Sequence, residues 1–269
     1  LIEINKIVKS TNNNLGVAGV AFKACLMPVK VLNSKGSGTY ADVAEGIRWA
    51  ADNGAQVINL SLGGSEPSQA LGSAVAYAHD KGVTIVAAAG NESSNKIIYP
   101  AAYDDYVIAV GATRYDETLA HYSNYGQSLD LVAPGGDLNV DQNNDGYGDG
   151  VLQQTFQKTG WRTEWGYYFM NGTSMASPHV AGVAALLISN GVVGPDEVRN
   201  VLQNTAQDLG PSGWDEKYGW GIVDAAAALG ITPGPGPTST PTPEPTPTPT
   251  PTLESEPTVT PTPTSTPTS

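Results

Sequence analysis

From Ala24 to Leu32 nearly every position is apolar, in the run ACLMPVKVL, and Gly36-Ser37-Gly38 closes it. A short apolar run bounded by glycines predicts a buried strand. The period then changes. Val43, Ile47 and Ala50/Ala51 recur at helical spacing behind Thr39, which can cap, and predict a helix from about Tyr40 to Asn53 that stops at Asn53-Gly54. Val57 to Leu62 predicts a strand ending in Gly63-Gly64, Ser68 to Lys81 a helix stopped by Gly82, and Val83 to Ala89 a strand ended by Gly90-Asn91. Apolar runs at Tyr106–Val110 and Leu129–Ala133 continue the sheet, and helical patterns return at Ser174–Asn190, Pro195–Gln203 and Asp224–Leu229. Strand and helix alternating at this spacing predict an α/β fold with a parallel sheet covered on both faces by right-handed crossovers. Sites in such sheets gather just past the carboxyl ends of the strands. Gly36-Ser37-Gly38, Ser61-Leu62-Gly63-Gly64 and Ala89-Gly90-Asn91 all lie at that edge; taken singly, each reads as ordinary turn chemistry.

This patterning ends abruptly. Residues 231–269 hold 13 of the 20 prolines and no Lys or Arg. Proline fixes φ and removes amide donors, and few large apolar residues remain to offset chain entropy, so 231–269 is expected to be a disordered Pro/Thr-rich linker to a further module. The body, 1–230, is long enough for one sizeable core without disulfides. Cys25, the single cysteine, lies in an apolar run and reads as a buried thiol. With 13 basic against 26 acidic residues, the chain has no electrostatic footprint for nucleic acid or anionic membranes. Its longest apolar stretch, Val180 to Ile188, is far short of the roughly 18 residues of a membrane span. A monomer is expected.

Candidate chemistry concentrates in one segment. Asn171 to Gly182, NGTSMASPHVAG, opens a helix that is apolar nearly all round and therefore buried. A serine oxygen there lies near free amide donors and the positive end of the helix dipole, a setting that favours developing negative charge. It suits an acyl-transfer nucleophile; it suits equally an N-cap at Ser174 or Thr173. Pro178 is placed in the first turn, where its missing amide costs little.

GTSMASPHVAG at 172–182 resembles the nucleophile segment of subtilisin-like serine proteases. Ser37-Gly38 followed by Tyr40, SLGG at 61–64, AAAGNE at 87–92, Tyr99-Pro100, VIAVGA at 107–112 and YGWGIVDAAAAL at 218–229 agree with that family in order and spacing. The resemblance covers about 10–230 and implies the three-layer α/β/α subtilisin-like fold in a secreted, extracellular serine endopeptidase. It implies Ser174 as nucleophile and Asn91 as oxyanion donor, with the Ser174 backbone amide as second donor. It implies that residues 36–38 (Gly36, Ser37, Gly38) and Ser61, Leu62 and Gly63 flank an extended polypeptide substrate, pairing through the backbone. Ser61–Gly63 with Ala88, Ala89 and Gly90 would wall a primary specificity pocket whose small residues leave room for a large apolar side chain, Glu92 would lie at its rim, and Tyr40 would shape a further apolar subsite. Tyr99-Pro100 is expected to be a cis peptide.

A triad of this family runs Asp, His, Ser along the chain, and only the serine is visible. The resemblance places the other two motifs ahead of Thr11–Val20, so the domain is expected to lack its first part. Of the three histidines, His179 is five residues from Ser174, about 140° round the same helix, His79 ends a surface helix and His121 is in a loop; none is expected to be the base. The chain is therefore expected to be nearly inactive. It reads as a piece of a longer protease or, alternatively, as a peptide-binding module on a stalk.

Calcium is the one cofactor suggested, at two places. Thr11 to Val17 resembles the family's calcium loop, with Asn13 giving a side-chain oxygen and Thr11, Leu15 and Val17 carbonyls. Separately, Asp141, Asn143, Asp145 and Asp149, with Gly146 between them, match positions 1, 3, 5 and 9 of a calcium loop. Position 12 is Leu152 rather than Glu. The surrounding insertion, 135–166, carries Trp161 and Trp165 and is expected to form a cleft wall or a satellite cluster.

Overall fold

The computed structural model describes residues 16–231; the linker beyond Ile231 and the calcium-loop positions Thr11, Asn13 and Leu15 lie outside them. Four parallel strands, β1 (Val57–Leu60), β2 (Thr84–Ala88), β3 (Val107–Thr113) and β4 (Leu131–Pro134), form one sheet in sequence order. Register pairs Ile58 with Ile85, Val86 with Ile108, and Val110 with Leu131.

The period-2 alternation along β2 and β3 sorts their side chains into two cores. Ile85, Ala87, Val107 and Ala109 pack against helices α1 (Tyr40–Asp52) and α2 (Gln69–Asp80). Val86, Ile108, Val110 and Ala112 face helices α3 (Thr173–Ser189) and α4 (Pro195–Asn204). A short α5 (Ala225–Ala228) follows, capped by Asp224. The result is the helix–sheet–helix layering expected, with every residue of β2 and β3 buried. Helix α1 starts on a capping box in which Thr39 Oγ1 accepts from Asp42 N and Asp42 accepts from Thr39 N, satisfying orphan amides.

One buried ion pair ties the layers. Asp130 Oδ2 accepts from Ala109 N of β3 at 2.7 Å, and its Oδ1 accepts from Arg199 Nε and Gln203 Nε2 of α4, both at 2.6 Å.

Two expectations fail here. Ala24 to Leu32 forms no strand, because among the described residues nothing pairs with it and the sheet stops at β1. Val29 and Val31 lean on Gly46 of α1, while Leu26 and Met27 face solvent. Cys25, in the same run, is exposed rather than buried. The insertion also holds a structure that its sequence concealed. β5 (Val151–Thr159) and β6 (Arg162–Met170) form a separate antiparallel hairpin of nine paired positions. No helix among the described residues is long and apolar enough to cross a membrane.

Candidate active site

The carboxyl ends of β1 and β2 and the amino end of α3 converge, as parallel α/β topology dictates. Helix α3 begins at Thr173 with Gly172 as N-cap at φ 147°, and glycine itself offers no side-chain cap. The amides of the first turn therefore look elsewhere for acceptors. Among the described residues the Ser174 N–H has no hydrogen-bond acceptor.

Asn91 lies beside that amide with its own side chain fixed. Its Oδ1 accepts from Thr173 N at 2.8 Å and Thr173 Oγ1 at 3.0 Å, and Thr173 Oγ1 in turn accepts from Gly90 N at 3.2 Å. Thr173 is fully buried. With its carbonyl side occupied, Asn91 presents its Nδ2 donors outward. A Cβ on Gly172 would sit 3.8 Å from Asn91 Nδ2 and 3.7 Å from Ser174 N; glycine keeps open the space that two donors share. Two convergent neutral donors beside a serine hydroxyl form the arrangement that stabilises an oxyanion.

The opposite side of the helix start is held by hydroxyls. Pro178 lies at the sixth position of α3, inside the helix rather than in its first turn. It cannot donate to the Ser174 carbonyl one turn back. Ser61 Oγ replaces that donor, reaching Ser174 O at 2.9 Å. Ser61 Oγ itself accepts from Asn59 Nδ2 at 2.9 Å and lies 3.2 Å from Ser177 Oγ, which donates to Asn59 Oδ1 at 2.8 Å. This ring joins the end of β1 to the helix that carries the serine. Ser174 Oγ contacts the Ser61 carbonyl at 3.4 Å.

The loop after β2 is fixed by Asn124. Its Oδ1 accepts from Glu92 N and Ser94 N, and its Nδ2 donates to Ala89 O and Glu92 Oε2. Glu92 Oε2 also accepts from Asn91 N at 2.9 Å, so Glu92 braces the oxyanion loop. Gly90, at φ 113°, has no room for a side chain: a Cβ would lie 2.6 Å from Glu92 Oε2 and would collide with Asn124 Nδ2. Ala88 and Ala89 are buried beside it. Gly64 and Tyr99 exchange two backbone hydrogen bonds of 2.9 Å, and Tyr40 abuts Gly64. The Tyr99-Pro100 bond is cis. The structure thus brings together Ser174, Asn91, Ser61–Gly63 and Ala88–Glu92. Gly36, Ser37 and Gly38 lie ahead of α1, with Ser37 O accepting from Asn33 N.

The described contacts of the three imidazoles are elsewhere. His79 Nε2 lies 3.1 Å from Asp196, His121 Nδ1 3.1 Å from Asp137, and His179 Nδ1 2.8 Å from the Met175 carbonyl within its own helix. Burial acts to raise the Asp137 pKa, but the Asn139 N–H and His121 outweigh it and hold the carboxyl below its ordinary value. Tyr122, whose hydroxyl donates to Gly136 O, has its pKa pushed up by burial.

At the Asp141 loop the fit to calcium is uneven. Asp149 Oδ1 and Gln142 Oε1 are buried without a partner, as hard-cation ligands would be. Asp141 and Asp145 instead spend oxygens on the loop amides of Asp145, Gly146 and Tyr147. Asn143 Oδ1 accepts from Asp145 N. Among the described residues no three carboxylate, His or Cys groups gather as a metal site.

The sequence pattern of the peptidase S8 subtilase family matches residues 6–221. The chain belongs to the subtilase family. Subtilisin Savinase of Lederbergia lenta is 43% identical over 222 residues, which are 82% of this chain and 74% of that protein. M-protease of Shouchella clausii (strain KSM-K16) is 43% identical over 222 residues, which are 82% of this chain but 52% of that protein. Among solved structures, a protease from Pseudoalteromonas arctica PAMC 21717 superposes with a TM-score of 0.75 at 37% identity, covering 85% of this chain and 69% of that one. This subtilase therefore spans between about half and three quarters of these relatives.

Sequence reasoning placed Ser174 and Asn91 at one site, where the structure brings them together, but missed what holds them. Asn59, Thr173 with Ser177, and Asn124 come from three separate segments, and only the fold makes them neighbours. The signal available was the polar residue inside the apolar β1 run, Asn59, and a buried serine in an apolar helix, Ser177.

Proposed function

We propose that this chain is the nucleophile-bearing portion of a secreted serine endopeptidase acting on polypeptides. Ser174 Oγ attacks the scissile carbonyl carbon, its proton passing to a base, and Asn91 Nδ2 with the Ser174 N–H receives the charge that develops on the carbonyl oxygen. The amine leaves with a proton, and water then hydrolyses the acyl-enzyme. Residues 36–38 and 61–63 flank the substrate backbone, and small residues at 61–63 and 88–90 accept a large apolar side chain before the cleaved bond. The observation that carries this reading is the pinned Asn91 carboxamide, whose free donors meet the Ser174 amide over Gly172.

The described contacts of His79 and His121 are with Asp196 and Asp137 rather than Ser174, and His179 lies about 140° round the helix from Ser174. We therefore assign it, with its orienting Asp, to polypeptide other than these 269 residues, and expect weak turnover without it; loss of the triad His in a subtilisin costs on the order of 10⁶ in turnover, a measured family value rather than one derived from this geometry. A peptide-binding module without chemistry is the competing reading, favoured by the same histidine contacts.

A chromogenic peptide ester with Phe on its acyl side separates the two, assayed with excess imidazole as external base. Expected is turnover that rises with imidazole, vanishes in Ser174→Ala, and falls in Asn91→Ala by about 10²–10³, the loss known from subtilisin itself. Equal hydrolysis by Ser174→Ala would overturn the assignment. For the Asp141–Asp149 loop we propose calcium, with Asp149 and Gln142 contributing the orphan oxygens; calcium titration should raise the melting temperature of the chain and not that of Asp149→Ala.

A further inference from the structure

Cross-strand register in the hairpin puts Leu152 opposite Phe169, Gln154 opposite Tyr167, and Phe156 opposite Trp165, all on one face. The opposite face carries Gln153 and Thr155, both buried. On the aromatic face Phe156, Tyr167 and Phe169 are exposed, and Trp165 retains 74% of its surface. Phe156 and Trp165 rings lie 5.2 Å apart, and Tyr147 of the preceding loop extends the row to Phe169 at 5.9 Å. Cross-strand aromatic pairs do stabilise a hairpin, but through mutual burial. A tryptophan three-quarters exposed contributes little in that way, and a contiguous apolar face of this kind marks an interaction surface.

Position selects the occupant. β6 ends at Met170, and the last aromatic of the row, Phe169, precedes Ser174 by five residues, so the row starts within about 18 Å of the nucleophile. Aromatic positions on β6 recur every second residue, a spacing of about 6.8 Å, which is also the same-face spacing of an extended peptide. Nucleic acid and anionic lipid are disfavoured by a net charge of −13.

We propose that the aromatic face of the β5–β6 hairpin is an exosite for extended polypeptide substrate, holding the part of the chain that lies beyond the bond attacked at Ser174. It rests on the hydrolytic reading above, in which residues 36–38 and 61–63 hold the other part. Side chains two residues apart in the substrate meet Phe169, Tyr167 and Trp165 in turn.

The test uses the full chain with Ser174→Ala to prevent cleavage, and two fluorescein-labelled peptides. One continues for eight residues beyond a Phe with Val or Leu at alternate positions; the other ends at that Phe as its amide. Expected is tighter binding of the longer peptide by about tenfold, lost when Phe156→Ala and Trp165→Ala are combined and retained in Trp165→Tyr. In the chain with Ser174 intact, the double variant leaves imidazole-assisted turnover of the short ester unchanged. Equal affinity for the two peptides would overturn the exosite, as would a variant that weakens both. A Trp165-dependent response to a soluble β-glucan, or Trp165-dependent self-association, in place of the peptide contrast would also overturn it. A peptide contrast in a chain without ester turnover would leave the exosite standing and remove the hydrolytic reading.

Discussion

The sheet edge and the hairpin reach Ser174 from two directions and are built on opposite terms. At the sheet edge the polar side chains that support the serine are already committed: Asn59, Ser61 and Ser177 to one another, Thr173 to Asn91, and Asn124 to the loop it supports. Buried polar groups hold one geometry because any departure leaves a donor or acceptor unmet. In the hairpin the large apolar side chains face outward, and among the described residues its two strands pair with each other. Fixed polar geometry suits a reacting centre, whereas open aromatic surface suits a chain of varying sequence. In sequence, Asn171 and Gly172 link the hairpin directly to the helix that carries Ser174.

Substitutions can break this contrast, beginning where the loss is greatest. Asp130→Ala strips the partly buried Arg199 of its main partner and leaves Ala109 N without an acceptor; urea denaturation should show a loss of about 3–5 kcal/mol. A loss under 1 kcal/mol would mean that the sheet layer is not locked as described. Gly90→Ala adds a Cβ at φ 113° against Asn124 and Glu92, at a cost of about 1–3 kcal/mol, and should depress Ser174-dependent ester turnover because Asn91 is displaced with it. In the hairpin, by contrast, Trp165→Ala should change the global denaturation midpoint by no more than about 0.5 kcal/mol, the range of an exposed site. Asp137 gives the smallest effect and a sign. Its carboxyl titrates below the ordinary 3.8 in the folded chain, so its contribution is present above about pH 4 and fades as pH falls through the lowered value. Thermal melts below pH 4 should therefore steepen in the parent relative to Asp137→Asn.

What was legible in the sequence follows the same division. Helices α1 and α2 were readable to within a residue, because Thr39 and Ser68 cap them and Asn53-Gly54 and Gly82 end them. β2 and β3 were readable as continuous apolar runs, since both their faces are buried. Ala24–Leu32 has the same apolar composition and forms no strand, because a strand needs a paired neighbour and composition does not report one. The hairpin was hidden for a different reason: Gln153, Gln154, Thr155, Gln157 and Lys158 interrupt β5, and the one apolar run of β6, Tyr167 to Met170, is too short to mark a strand by itself. At the site, Ser174 and Asn91 were legible through the motif around each. Their supports were not, since hydrogen bonds between residues more than 80 positions apart leave no local pattern. The first-turn placement of Pro178 was wrong for a related reason: its missing amide is compensated by Ser61, 113 residues away from the carbonyl concerned.

The pinned carboxamide of Asn91 has a consequence for how acidity governs the reaction. In the proposed reaction both groups that would meet the nascent oxyanion are amides, and neither gains nor loses a proton in the accessible pH range. Charge stabilisation by them would then carry no titration of its own, and a bend in a rate profile would come from other groups, the proton acceptor and the substrate among them. This makes the site a fixed reference against which different external bases can be ranked by their own basicity.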